Sequence, residues 1–399
     1  MLFRKTSSTW LAVGLLLAAA ISASAQSVTP EEVFERLFTQ GPAKAEWFAP
    51  EVLAQVPLQL FDQIVAQYTA ALGAYVGAEG TVPFFRLTFE RGYVDAQLLL
   101  NEAGQIAAIW FGPPQAVVSG LDEALAGFHE LPGKVSVIVV SNAGALASIN
   151  PDEPLAVGSA FKLAIAAALK DQVALGVHAW DEVVALEPQD VSLPTGILQD
   201  WPPGTPLTVQ SLATLMISIS DNTATDALLR LVGRETVEQY APRNKPFLST
   251  RELFILKAAG NEQLLETWRA GDEAARRELL AVLAEQPLPG LEAISTTPKA
   301  LDVEWYFTVR ELADLMAYVA DLPFMSVNPG LANPSDWQYV AFKGGSEPGV
   351  LNLTTLVVAE DNTPYIISAT WNNSERPLDE TRFFSLYSGL LSAIKQLEN

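Results

Sequence analysis

The sequence of 399 residues contains no cysteine and only two histidines, His129 and His178. Without cysteine the chain cannot form disulfides, use a thiol as nucleophile or bind zinc through thiolates. The histidines lie 49 positions apart (178 − 129), which fits no histidine metal site, and we expect both to be structural or solvated. These absences predict no metal ion and no cofactor, and they leave a serine nucleophile without a usable histidine base.

Basic residues are also scarce, with 24 Lys and Arg against 46 Asp and Glu and a net charge of −22. Arg4 and Lys5 precede an apolar run from Trp10 to Ile21 that ends in Ala23-Ser24-Ala25, which is typical of a secretory signal peptide cleaved after Ala25. Removing residues 1–25 leaves 22 basic and 46 acidic residues, a net charge of −24 (22 − 46). Such a surface repels nucleic acid and anionic lipid. We therefore expect a secreted or periplasmic protein with a small-molecule substrate, no nucleic-acid partner and no membrane attachment after cleavage.

Hydrophobic patterning predicts two α+β domains, residues 26–118 and residues 119–399. The first begins with two helices, continues with alternating strands and closes with a hairpin around Asn101–Gly104. The second begins with a helix and two paired strands, and then has a long helical block, three further strands and a terminal helix. The predicted ranges of these elements are 120–128, 134–140, 145–149, 159–325, 338–342, 350–359, 365–371 and 379–397.

One short motif suggests nucleophilic chemistry. Ser159-Ala160-Phe161-Lys162 follows Val157-Gly158 and opens an apolar helical run. Residues three apart share one helix face, so the hydroxyl and the amine lie one turn apart. A lysine can take the serine proton if burial and a neighbouring cation lower its pKa. The same spacing at Ser392-Ala393-Ile394-Lys395 lies on the terminal helix with no downstream partners, and it illustrates the alternative of a chance match.

Two later motifs strengthen the first copy. Ser220-Asp221-Asn222 lies between two predicted helices, where by itself it indicates an N-cap cluster. Lys343-Gly344-Gly345-Ser346 ends a predicted strand and opens a hairpin, and its glycines would let a ligand lie along the strand edge. By itself this second motif indicates an ordinary hairpin turn.

The order of these motifs on a helix, an interhelical loop and a strand resembles the serine β-lactamases and penicillin-binding proteins, class A in particular. The resemblance covers roughly Gly120 to Asn399. It implies a covalent acyl-enzyme on Ser159, proton relay by Lys162 and Ser220, and an oxyanion hole made by the backbone amides of Ser159 and Ser346. The substrate-binding residues that it implies are Asn222, Lys343, Gly345 and Ser346.

This resemblance implies an exported serine hydrolase that acts on β-lactams or related amides and esters. Two alternatives stay open. The first is a non-catalytic protein that binds peptidoglycan in the cell envelope. The second is a carboxypeptidase that releases D-alanine from peptidoglycan stem peptides.

Two departures from the family pattern limit the predicted mechanism. No Glu-x-x-Leu-Asn motif, whose glutamate activates the deacylating water in class A lactamases, lies between Asn222 and Lys343. Glu252 is the nearest substitute by position and is a possible deacylation base. Gly344 replaces the threonine of the family's Lys-Thr-Gly motif and removes a side-chain contact. The sequence therefore supports acylation better than rapid turnover.

The first domain is similar to the cone-shaped helix-and-sheet fold of the nuclear-transport-factor (NTF2) and ketosteroid-isomerase relatives. In tandem with a lactamase-like domain it resembles the two-domain serine hydrolase of clavulanic acid biosynthesis clusters. Tyr93 and Asp95 are its candidate isomerase residues, but polar residues alternate on any sheet face that meets solvent. We therefore expect this domain to shape or dock the substrate.

Overall fold

The computed structural model describes residues 28–397, so the predicted signal peptide lies outside the described part of the chain. Contacts between Cα atoms divide the chain into two compact units. Among the described residues, unit 1 contains residues 28–124 together with Asp379–Gln396, and unit 2 contains Leu125–Leu378. No helix within residues 28–397 combines the length and the apolar character needed to cross a membrane.

The described chain contains both helices and strands. The helices are α1 Pro30–Thr39, α2 Pro50–Gln55, α3 Leu58–Leu72, α4 Leu121–Ala126, α5 Lys162–Ala174, α6 Val209–Ser218, α7 Asn222–Val232, α8 Arg234–Val237, α9 Thr250–Lys257, α10 Glu262–Ala270, α11 Glu273–Ala284, α12 Val309–Val319 and α13 Glu380–Gln396. The strands are β1 Tyr75–Thr81, β2 Phe84–Phe89, β3 Gly92–Leu100, β4 Ile106–Phe111, β5 Gln115–Ala116, β6 Lys134–Ser141, β7 Gly144–Ile149, β8 Leu155–Ala156, β9 Val183–Ala185, β10 Pro206–Thr208, β11 Tyr306–Phe307, β12 Tyr339–Glu347, β13 Val350–Val358 and β14 Pro364–Asn372.

Unit 1 packs helices on an antiparallel sheet with the strand order β1-β2-β3-β4, and β5 pairs with β3. Thr29 begins α1 through a capping box with Glu32, which satisfies two backbone N–H groups at the helix start. Side chains of β2 alternate between solvent and core, because successive residues of a strand point to opposite faces. Phe34 of α1 meets Phe85 of β2 edge to face, with ring centroids 5.4 Å apart. The predicted helix-then-strand order of this region is confirmed.

The C-terminal helix α13 groups with unit 1, whereas the sequence analysis assigned it to the second domain. It contacts α3 and β5. Ser388 of α13 is buried, and its Oγ accepts a hydrogen bond of 2.8 Å from the Ala116 amide. The apolar pattern of a helix indicates that one face is buried, but it does not indicate against which element.

Unit 2 contains an antiparallel sheet with the strand order β12-β13-β14-β6-β7. The strand β12 therefore lies at an edge, where alternate backbone N–H groups face away from the sheet. Lys343-Gly344-Gly345-Ser346 lies inside β12, and the hairpin turn follows at Pro348-Gly349. The predicted position of the motif, at the end of a strand that opens a hairpin, holds to within one residue, but the strand is longer than the predicted range 338–342 because pairing with β13 continues through both glycines to Glu347.

The helical part of unit 2 surrounds α5. The first eight residues of this helix, 162–169, are all buried, and α5 packs against α7 and α12. The predicted helical block is confirmed in outline, although the short strands β9, β10 and β11 interrupt it. Because α5 is buried on every side at its beginning, whatever polar group lies there must find partners inside the protein.

Candidate active site

Ser159 lies on a tight turn that leads directly into α5. The turn is a 3-10 helix, Gly158–Phe161, and Ser159 is partly exposed while its neighbours Gly158 and Ala160 are buried. Gly158 has a φ of +49°, a left-handed conformation that glycine adopts without the penalty of a side chain. The Phe161 ring stacks on the Trp305 ring with centroids 3.8 Å apart, and this contact helps to hold the turn in place.

Lys162 is fully buried at the beginning of α5, and its amine is held by three hydrogen bonds. Nζ donates to the Ser220 carbonyl oxygen at 2.7 Å, to Ser220 Oγ at 3.0 Å and to Asn222 Oδ1 at 2.7 Å. Burial lowers the pKa of Lys162 well below its ordinary value, and the charge of Lys343 lowers it further, against the opposing effect of Asp226 and Asp221. None of the described side chains hydrogen-bonds to Ser159 Oγ. The lowered pKa increases the neutral fraction of the Lys162 amine relative to an ordinary lysine.

Ser220 joins α6 to α7 with a φ of +59°, which is uncommon for a residue with a side chain. Lys343 Nζ donates to Ser220 Oγ at 3.1 Å, so this hydroxyl lies between two lysine amines. Burial also lowers the pKa of Lys343, to about 7. Thr195 Oγ1 donates to the Ser220 carbonyl oxygen at 2.7 Å and holds the backbone in this position. Strained backbone at such a junction is commonly found at functional sites.

Asp221 and Asn222 have structural roles as well as a place in the site. Asp221 is the N-cap of α7 and also accepts hydrogen bonds from the Ile197 and Leu198 amides, at 2.7 and 3.0 Å. Asn222 Nδ2 donates to the Leu193 carbonyl oxygen at 2.9 Å while its Oδ1 accepts from Lys162. The N-cap interpretation of this motif is thus correct for Asp221, and the same cap points Asn222 at the lysine.

The edge strand β12 lies directly against the nucleophile turn. A Cβ on Gly345 would stand 2.2 Å from the Val157 oxygen and 2.4 Å from the Ser159 nitrogen, so only glycine fits there. A Cβ on Gly158 would stand 3.1 Å from the Ser346 nitrogen. The backbone amides of Ser159 and Ser346 therefore lie on two segments in close contact, as the donors of an oxyanion hole must.

A family model described as the β-lactamase enzyme family matches residues 121–321, half of the chain. The match includes the turn with Ser159, Lys162 and the loop with Ser220 and Asn222. This chain belongs to the β-lactamase enzyme family. No curated protein matches the sequence.

Several solved structures are similar to this β-lactamase-family chain. A β-lactamase from Sphaerobacter thermophilus is 19% identical with a TM-score of 0.49, over 70% of this chain and 98% of that one. A β-lactamase from Xanthomonas campestris is 15% identical with a TM-score of 0.48, over 71% and 100% of the two chains. The protein PBP-A is 18% identical with a TM-score of 0.48, over 69% and 94%.

Glu252, the possible deacylation base, has a carboxylate whose partners are not among the predicted site residues. It forms an ion pair of 2.8 Å with Arg234. Its Oε2 also accepts a hydrogen bond from the Ser249 amide at 2.7 Å, as part of the capping box of α9. Neither partner belongs to the group of residues that hydrogen-bond around Lys162.

Sequence reasoning missed three residues that build this site. Gly158 allows the close approach of β12, and Thr195 holds Ser220 in place. The third is Asp226, fully buried one turn after Asn222, which accepts hydrogen bonds from the Thr250 and Arg251 amides at 2.8 and 2.9 Å. Burial raises the pKa of Asp226 to about 7. The signal for Asp226 in the sequence was a single aspartate on the otherwise apolar face of a predicted helix.

The remaining candidates have ordinary partners. His178 Nδ1 lies 2.8 Å from Glu182 Oε2. Asp95 of unit 1 pairs with Arg86 at 2.8 Å on an exposed face of the sheet, and the Arg86 guanidinium lies 3.9 Å from the centre of the Tyr93 ring. Within residues 28–397, no three His, Asp or Glu side chains are grouped as metal ligands.

Proposed function

We propose that this chain is an exported, class A-related serine hydrolase that forms a covalent acyl-enzyme on Ser159 with β-lactams or related amides and esters. The observation that carries the proposal is the position of Ser220 Oγ, 3.0 Å from the Lys162 amine and 3.1 Å from the Lys343 amine. Two ammonium groups that both donate to one partly buried hydroxyl repel each other, which favours the neutral form of one amine and makes it available as a base. Membership of the family supports the same chemistry.

In the proposed acylation, Ser159 Oγ attacks the carbonyl carbon of the substrate and its proton passes to neutral Lys162. The tetrahedral oxyanion lies between the Ser159 and Ser346 amides. When the intermediate collapses, the bond from carbon to the leaving nitrogen or oxygen breaks. Ser220 gives its proton to the leaving atom and takes the proton from Lys162, which restores the base. Asn222 binds the substrate amide and Lys343 its carboxylate.

Deacylation needs a water molecule that attacks the Ser159 ester, with the departing Ser159 oxygen recovering a proton through Lys162. The partners of Glu252 in the structure do not support a role for this residue in activating that water. We propose that acylation is faster than deacylation, so that the acyl-enzyme accumulates.

The test is intact mass spectrometry of the mature protein incubated with a penicillin or a fluorophosphonate. We expect the mass of one opened penicillin, or of one phosphonyl group, on the wild-type chain and no adduct on Ser159→Ala. Turnover of a chromogenic cephalosporin then measures deacylation. An unlabelled Ser159 with saturable binding to cell-wall fragments would contradict the proposal in favour of a wall-binding protein, and released D-alanine would identify a carboxypeptidase.

For unit 1, we propose the NTF2-like fold predicted for residues 26–118, with a role in shaping or docking the substrate. Its helices on an antiparallel sheet support this fold. Export with cleavage after Ala25 is likewise a proposal, which N-terminal sequencing of the secreted protein tests.

A further inference from the structure

A second group of charged side chains lies beside the oxyanion strand. Lys257, the last residue of α9, forms ion pairs with Glu304 and with Glu347 Oε2, the latter at 3.0 Å. The side chain of Lys257 is 9% exposed and that of Glu347 20%, while the side chain of Glu304 is fully buried. Glu304 Oε2 is buried without a hydrogen-bond partner among the described residues.

One of the two carboxylates lies on the strand that carries the Ser346 amide, and the other lies on a segment that pairs with the residues just before Ser159. Glu347 directly follows Ser346 at the end of β12. Glu304 directly precedes Trp305, whose carbonyl oxygen accepts a hydrogen bond of 3.1 Å from the Val157 amide, two residues before Ser159. Lys257 therefore forms ion pairs with two segments that both contact the nucleophile turn: the segment that contains Trp305, and the strand β12.

Burial of these charges destabilises the fold unless the geometry of the ion pairs is well defined. Desolvation of an ion pair can exceed its Coulombic gain, and this group carries one more negative than positive charge. Well-packed apolar side chains would stabilise the same place at least as well. The ion pairs instead fix the separation between the two segments that carry the carboxylates, because charge-assisted hydrogen bonds restrict the distance and direction between their groups.

We propose that Lys257 is a positioning residue that fixes the Ser346 amide relative to the Ser159 amide through its ion pairs with Glu347 and Glu304. The inference rests on the proposed acyl-enzyme function and deepens it. An oxyanion hole stabilises the tetrahedral intermediates of both acylation and deacylation. Loosening one of its amides therefore slows both steps by a similar factor.

The test is Glu347→Gln, which removes the charge facing Lys257 and leaves the Glu304 ion pair intact. We expect the rate constants of penicillin adduct formation and of adduct loss each to fall by about ten-fold, since small displacements at a reacting centre have effects of this order or larger. The affinity for penicillin before acylation, measured in a Ser159→Ala background, stays unchanged. A purely structural role would not separate rate from affinity in this way.

Two further variants complete the experiment. Glu238→Gln is the matched control: it removes the charge from a partly buried ion pair with Arg277, at 2.6 Å, between two residues that are not part of the site, and both rate constants should stay within two-fold of wild type. Lys257→Met removes both ion pairs and should lower both rate constants more than Glu347→Gln does. If Lys257→Met does not fold, the comparison of the two glutamine variants decides the question.

Each other outcome contradicts a specific statement. Unchanged rate constants in Glu347→Gln would overturn the positioning role. A fall in adduct loss alone would also overturn it, because that pattern belongs to a base acting on the deacylating water. If wild-type protein forms no adduct at Ser159 in the same experiment, the proposed function fails and the inference with it.

Discussion

At the residue scale, the site depends on two lysines that are buried together. Lys162 and Lys343 both donate to Ser220 Oγ, and burial lowers the pKa of each. A lysine in water is protonated at neutral pH and has no lone pair free to act as a base, whereas burial lowers the pKa and increases the fraction of neutral amine that can take a proton. The environment, rather than the residue type, thus makes Lys162 suitable to activate a serine.

The lowered pKa of Lys343 predicts a pH dependence of stability. The pKa is about 7 in the folded protein against 10.5 for an ordinary lysine. Between these values the unfolded chain binds more protons than the folded one, so the free energy of unfolding rises with pH across this window. One such group contributes a slope of at most about 1.4 kcal/mol per pH unit.

Lys343→Met removes that contribution, and we expect a shallower rise in the free energy of unfolding between pH 7.5 and 9.5. Urea denaturation at several pH values measures it. Lys170→Met is the control, because Lys170 lies in α5 with its ion pair to Asp321 at the surface, and its slope should equal that of wild type. Parallel curves for wild type and Lys343→Met would show that the amine is solvated.

At the scale of elements, the site is the contact between one turn and one edge strand. Each half carries part of the proposed machinery: the turn carries the serine and one amide, and β12 carries the second amide and Lys343. Sheets that stack face to face normally lie about 10 Å apart, because their side chains fill the space between them. Here the two backbones approach much more closely, and glycines at 158 and 345 make that possible.

Gly345→Ala should abolish adduct formation on Ser159 and lower the free energy of unfolding by about 1–3 kcal/mol, since the added methyl group meets backbone atoms that cannot move aside. The neighbouring Gly344→Ala is the matched control. Its methyl group would meet the Phe342 side chain at 2.9 Å and the Asn352 oxygen at 3.2 Å, a milder overlap away from Ser159. We expect Gly344→Ala to retain labelling, and equal losses in both variants would contradict this account.

At the scale of the whole molecule, the proposed catalytic groups all belong to unit 2, while helix α13 belongs to unit 1. Replacing Ser388 by alanine leaves the partly buried Ala116 amide without its acceptor, a loss worth about 0.5–1.5 kcal/mol. We expect calorimetry to show a lower unfolding temperature for Ser388→Ala. The rate of Ser159 labelling well below that temperature should not change.

Ser392→Ala is the control on the same helix. It should leave both the unfolding temperature and the labelling unchanged, and it tests the second Ser-x-x-K sequence directly. Loss of labelling in Ser392→Ala would transfer the nucleophile to the terminal helix and contradict the assignment of Ser159.

The sequence by itself determined the family, the main elements and the residues to inspect. Hydrophobic periodicity fixes which residues face a core, and the three motifs kept their order along helix, loop and strand. This is local information, carried by backbone preferences and by which side of an element is apolar. It was sufficient to select Ser159, Lys162, Ser220 and Lys343 before any distance was known.

Only the tertiary structure decided how these groups act together. Ser220 and Lys343 are 123 positions apart (343 − 220), and they meet because β12 lies at the sheet edge next to the α6–α7 loop. The same packing turned Glu252 toward Arg234 and placed Lys257 between Glu304 and Glu347. Burial, pKa and separation depend on which surfaces are brought together, and no pattern within a single segment contains that information.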